Sequence, residues 1–151
     1  MAIHANSDLV GVAWVKGVQG VDLAQVATTR PEDTNKWAEK GFVQLTIVGG
    51  SPARDNPLRR PVLQVDAWAV NPNTDKAPWG KAAALAELVL DGTFPDQSHL
   101  AARTLVLPAG YHGARVMAAE ALSEPRRIED SNASFARYQW DLLLTWVELP
   151  A

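Results

Sequence analysis

Apolar positions along the chain change period several times, and each change marks an element. Asn6-Ser7-Asp8 supplies helix N-cap chemistry, and Leu9, Val12, Ala13 and Lys16 follow at helical spacing. A short first helix is predicted, closed by Gly17 and Gly20. Val21 to Thr29 is apolar and β-branched enough for a first strand, ended by Pro31. Glu32 to Lys40 is charged and polar around Trp37 and reads as a loop. Phe42 to Val48 alternates, with Val43, Leu45 and Ile47 on one face and Gln44 and Thr46 on the other. Gly49-Gly50 is expected to end that strand. Ser51 to Arg60 holds two prolines, three arginines and one aspartate, so an exposed loop of local charge about +2 is predicted. Pro61 to Val70 resumes a strand, in which Leu63, Val65, Ala67 and Ala69 alternate with Gln64, Asp66 and Trp68. Strand, loop, strand spells an antiparallel hairpin with a long tip.

Asn71 to Ala77 is a turn-forming linker, and Pro78 stands where a first helical position belongs. Trp79, Ala82, Ala83, Ala86, Val89 and Leu90 form an apolar helical stripe that Leu85 and Leu88 widen. This stripe reads as core and not as a cofactor box, and Asp91-Gly92 ends the helix. Thr104 to Leu107 is a short strand stopped by Pro108, Gly110 and Gly113. From Ala136 to Trp146 the alternate residues Ala136, Tyr138, Trp140, Leu142, Leu144 and Trp146 make one aromatic, apolar face. Ala114 to Ile128 can pair with that strand across the turn Glu129 to Ser134. Fully extended, Phe135 to Leu149 spans roughly 50 Å at about 3.4 Å per residue. A domain of this size is only about 40 Å across. The strand must therefore bend, carry a bulge or leave the body. Its polar end, with Arg126, Arg127, Glu129, Asp130, Asn132 and Arg137, is expected to project. The order of elements predicts an α+β fold in a single domain over 1–151, two helices packed on a mostly antiparallel sheet with a long C-terminal hairpin.

Composition narrows the classes. A chain of 151 residues with 47% hydrophobic and 21% charged residues fits one soluble globular domain. The six tryptophans each bring roughly 150–250 Å² to a core or to a subunit contact. A net charge of −3 gives no global reason to bind nucleic acid. With no cysteine, disulfides and thiolate metal sites are excluded. Met1 to Val12 carries an aspartate and no cationic region, so no signal peptide is expected, and no apolar run reaches the roughly 20 residues of a membrane span.

Candidate chemistry is sparse. His4, His99 and His112 have no metal-ligand spacing to one another or to a carboxylate pair, and no metal or cofactor is expected. His112, in Gly110-Tyr111-His112-Gly113, reads as part of a plain β-turn. No phosphate-cradling or dinucleotide-binding glycine loop is present. Gly49-Gly50-Ser51-Pro52 fails as a nucleophile elbow, because proline removes the N–H that an oxyanion hole needs and no helix follows. Asp66, within an apolar strand, is either an acid or base with a perturbed pKa or, more simply, a solvent-side or arginine-paired residue beside Gln64. Arg54, Arg59 and Arg60 form a phosphate patch or a salt-bridging surface loop. Aromatics are not interleaved with them, so base stacking has little support.

Three segments carry a resemblance beyond composition. They are Gly41-Phe42-Val43-Gln44-Leu45-Thr46-Ile47-Val48-Gly49-Gly50, then Arg60-Pro61-Val62-Leu63-Gln64-Val65-Asp66-Ala67-Trp68-Ala69, then Pro78-Trp79-Gly80-Lys81-Ala82 with Leu85-Ala86-Glu87. Over about residues 30 to 90 the chain resembles the tail terminators of siphophages infecting actinobacteria, with a compatible closing hairpin. The resemblance implies a non-enzymatic α+β subunit, assembled in the host cytoplasm, that joins a homo-hexameric ring on the finished tail tube. Such a ring stops tube growth at the tail–neck junction of the virion and presents a surface to the head-side connector or head-closure protein. Its implied partners are its own copies, the major tail tube protein and that connector, with viral DNA only passing through the lumen and no membrane involved. No catalytic residue carries over. The contacts expected are Arg54, Arg59 and Arg60 in one loop and Arg126, Arg127, Glu129, Asp130 and Arg137 at the hairpin tip. A head-closure or connector-completion neck protein is the alternative of the same size. A small metal-dependent hydrolase using Asp66, His112 and nearby arginines is the enzymatic one.

Overall fold

Asn6 opens the first helix as its chemistry predicts, its side-chain oxygen accepting from the Leu9 N–H at 3.0 Å. A computed structural model describes residues 2–22, 25–94 and 101–150. Its helices are α1 (Ser7–Lys16) and α2 (Trp79–Asp91). The described strands are β1 (Val26–Ala27), β2 (Phe42–Pro52), β3 (Arg59–Val70), β4 (Arg103–Leu105), β5 (Ala114–Ala121), β6 (Arg126–Ile128) and β7 (Phe135–Glu148). They form one sheet in the order β1-β2-β3-β7-β5-β4, with β6 on β7 beyond the end of β5. Every pair is antiparallel except β1 with β2. The expected α+β architecture is observed. No described helix is long and apolar enough to cross a membrane.

Both helices cover one face of the sheet. Val10, Trp14 and Val15 of α1 and Leu85, Ala86, Val89 and Leu90 of α2 pack on Val43, Leu45, Leu63, Val65, Trp140, Leu142, Leu144 and Trp146. The approach of α1 is close: a Cβ on Gly11 would fall 2.5 Å from Leu63 Cδ2, so any larger residue there displaces the Leu63 side chain. Two indole N–H groups of the main core find partners, Trp14 donating to the Ala101 carbonyl at 3.1 Å and Trp146 to the Ser7 hydroxyl at 3.0 Å, whereas that of Trp140 is buried without one. On the opposite face, Trp37, Phe42, Trp68, Val70 and Phe135 make a second cluster. Trp79 packs edge-on to Tyr138. All six tryptophans are thus engaged within the subunit, and their number argues nothing about assembly.

Several expected boundaries move, each for a local reason. The strand expected over 21–29 shrinks to β1. Gln25 turns its buried side chain to the carbonyls of Lys40 and Gly41 and its amide oxygen to the Asp22 N–H, a local closure that competes with the ladder. Gly49-Gly50 does not end β2. The register shifts between Ile47 and Gly49, absorbing Val48 as a bulge, and pairing continues to Pro52. Gly50 makes this possible with φ +94°, where any Cβ would lie 2.1 Å from the Arg60 carbonyl oxygen. The loop expected over 51–60 is therefore only 53–58, and Arg59 and Arg60 belong to β3. The strand expected over 104–107 is shifted to β4. The arm expected over 114–128 divides into β5 and β6, both on the same side of β7.

The hairpin tip expected to project lies along the body instead. β3 pairs with β7 from Arg59↔Trp146 to Val70↔Phe135, which holds the polar end of β7 within the sheet. The Asn71 N–H donates to the Ser134 carbonyl at 3.1 Å, and the Ser134 hydroxyl to the Thr74 carbonyl at 2.8 Å. The segment that does leave the packed body is the outer end of the β2–β3 hairpin. There Ile47 is 39% and Val48 52% exposed.

Candidate assembly surface

The anticipated contact residues fall into two groups at opposite ends of β3, roughly 35 Å apart by strand length. At the outer hairpin, Arg54 stands exposed in the tip, Arg60 is exposed opposite Ser51, and Arg59 lays its guanidinium 5.0 Å from the Trp146 ring centroid. On the flank away from β3, no strand among the described residues pairs with β2 beyond Gln44, so its outer half presents a free edge of backbone donors and acceptors. A free edge is a ready template for another chain, here shortened by the bulge and by Pro52.

At the other end, the charged residues are largely spent within the subunit. Arg127 pairs with Glu129 at 3.0 Å and stacks 3.7 Å over Trp79. Arg126 donates to the Gln139 side-chain oxygen at 2.7 Å. Arg137 donates to Asp66 at 2.8 Å and lies 5.0 Å from the Trp68 ring. The Asp130 carboxylate accepts from the Asn132 N–H at 2.9 Å. Its charge also acts on Arg30, a residue without a sequence signal, whose guanidinium sits 4.1 Å over Trp68 and 4.7 Å over Phe135. Burial holds Arg30 below the usual arginine value; Asp130 opposes that shift and Arg137 adds to it.

Asp66 takes the arginine-paired role, but inside the protein and not toward solvent. It is 2% exposed and accepts from Arg137, from Gln139 at 3.0 Å and from Gln64 at 2.9 Å. A carboxylate so occupied has little capacity left for a substrate. His112 lies beside Leu149, whereas Asp66 faces Gln139, so the two are roughly 30 Å apart along β7. They cannot share one catalytic centre.

The fold does assemble one titratable cluster that sequence spacing concealed. His4, His112 and Glu148 converge, their candidate ligand atoms all within 4.8 Å of one another. His4 Nδ1 lies 2.9 Å and His112 Nδ1 3.6 Å from Glu148 Oε1. The imidazole rings stack, with centroids 5.6 Å apart and planes 12° from parallel. A parallel bridge of Ile3 to Tyr111 brings the N-terminal segment here. The turn expected at 110–113 falls earlier, closed by the Tyr111 N–H on the Pro108 carbonyl at 3.2 Å. Residues 110–112 instead receive that segment, the Ile3 N–H donating to the Gly110 carbonyl and the His112 N–H to the Ile3 carbonyl. The hydrogen bond with His4 holds the Glu148 carboxyl below its ordinary value; burial opposes it, and the Ala5 N–H and the charge of both histidines add to the lowering. His99 lies outside the described residues.

No family model matches the chain, and no curated protein matches it. Among solved structures, a chain from the virion of a native gene transfer agent particle matches with a TM-score of 0.55 at 14% identity. That match covers 95% of this chain and 100% of the other. A second solved chain, 18% identical and covering 97% of each, reaches a TM-score of only 0.41 and carries no argument. The protein therefore shares its fold, end to end, with a chain of the gene transfer agent virion.

Proposed function

We propose that this chain is a non-enzymatic structural protein of a phage-like virion and, more narrowly, its tail terminator. In this reading it is assembled in the host cytoplasm as a homo-hexameric ring on the tail tube at the tail–neck junction. There it ends tube growth and offers its other surface to the head-side connector. The end-to-end fold likeness to a chain of the gene transfer agent virion carries the first part. The narrower part rests on the sequence resemblance. Its three segments supply most of β2, β3 and α2, which are consecutive and packed on one another, so they make one structural unit and not scattered matches.

Removing the gene from its phage and imaging the particles tests the role. Loss of a terminator leaves tubes of uncontrolled length that fail to join filled heads. Tubes of uniform length beside heads that lose their DNA would overturn it in favour of a head-closure or connector-completion protein.

A further inference from the structure

The His4, His112 and Glu148 cluster has the composition and convergence of a metal site. Two imidazoles and one carboxylate form a donor set used for Zn²⁺, with bonds of about 2.0–2.2 Å; tetrahedral ligand atoms around such an ion stand about 3.4 Å apart. Glu148 Oε1 lies 2.9 Å from His4 Nδ1 and 3.6 Å from His112 Nδ1; the two rings stand 12° from parallel, so the exposed His4 ring turns for both imidazoles to face one ion. The surroundings hold one of the three ligands in place, the Ala5 N–H donating to Glu148 Oε2 at 3.0 Å. His112 Nδ1 lies 3.1 Å from the Leu149 carbonyl oxygen and leaves that contact to ligate. Orientation of ligands by backbone groups is what tunes metal sites. The His112 side chain is 16% exposed, whereas that of His4 is 87% exposed and free to swing onto an ion.

We propose that His4, His112 and Glu148 bind one divalent transition-metal ion of the Zn²⁺ type. The ion ties the N-terminal segment and the segment 110–113 to the end of β7. With no thiolate available, the nitrogen and oxygen donors suit Zn²⁺, Co²⁺ or Ni²⁺ and not Ca²⁺ or Mg²⁺. Three protein ligands leave the remaining positions to water.

The test is calorimetric titration of the tag-free, full-length protein with Zn²⁺ at neutral pH, with Co²⁺ absorption reporting the ligand field. One equivalent should bind with micromolar affinity, and saturating Zn²⁺ should raise Tm by about 5 °C or more. H4A, H112A and E148Q should each weaken binding at least about tenfold, while H99A should leave it unchanged. His4 is exposed, so H4A keeps the test decisive even if H112A does not fold. No saturable binding up to millimolar Zn²⁺, or binding that survives H4A and E148Q, would overturn the proposal.

Discussion

Arg137 reaches across from β7 to place its Nε 2.8 Å from the carboxylate of Asp66 on the neighbouring β3. Asp66 is buried while the Arg137 side chain keeps 23% exposure, so the pair is wet on one side only. Removing the acid strands a half-buried cation together with the amides of Gln64 and Gln139. Asp66→Ala is therefore expected to cost about 2–4 kcal/mol in urea unfolding, less than a fully buried pair because Arg137 can still reach water. In D66A/R137M the loss should fall well short of the sum of the two single losses. Additive losses would mean that the pair does not act as a unit.

Trp146 joins the core to α1 through the Ser7 hydroxyl and carries Arg59 near its ring. Trp146→Ala should destabilise by about 3–5 kcal/mol, through lost burial and a large cavity. Ser7→Ala should cost only about 1–2 kcal/mol, because it strands one indole N–H and empties little space. Chemical denaturation of the two variants checks the ranking.

Much of this frame is legible in the sequence because it is written in local chemistry. Asn6 announces its helix, Pro78 stands at the start of α2, and the alternation from Ala136 to Trp146 gives β7. What fails depends on residues distant in the chain. Gly49-Gly50 looks like a stop until Val62 and Pro61 stand opposite it, and only then does Gly50's positive φ extend the strand. The His4–Glu148 contact joins residues 144 positions apart, so no local spacing reveals it. Strand alternation places Asp66 beside Gln64, though alternation alone could not show that Gln139 and Arg137 would bury it.

Hydrogen exchange should separate the two hairpins. Amides over 53–58 should exchange fast, because there the described backbone pairing is confined to Ala53 with Leu58. Amides of β6 and the inner end of β7 should be slow in the free subunit, since both lie in the ladder. Fast exchange over 126–137 would mean that the tip leaves the body after all.

If the outer hairpin meets a ring neighbour or the adjacent ring, R59E/R60E should leave the subunit folded and block tail completion. Near-ultraviolet circular dichroism reports the first outcome and virion yield the second. Native mass spectrometry of assembled tails should find six copies. Normal yield from the double variant would remove this hairpin from the interface.

Acid should unfasten the Glu148 contacts, which face His4 and His112. The folded carboxyl value lies below the unfolded one, so its contribution is complete above the unfolded value of about 4.3 and is lost as pH falls through the folded value. The stability gap between wild type and E148Q should therefore be open at about pH 5 and close below about pH 4. Urea midpoints at about pH 5 and about pH 3 measure it, and a gap that widens toward the lower pH would contradict the assignment.

β7 follows both of its main neighbours in the chain, yet it lies between them. On a ribosome, β3 and β5 emerge with one flank each waiting for a strand not yet made, and the face that both helices cover is incomplete. Such late, long-range closure favours slow, all-or-none folding. A subunit without β7 then has neither a continuous sheet nor a closed core. Emergence of that one strand thereby sets when the fold can close.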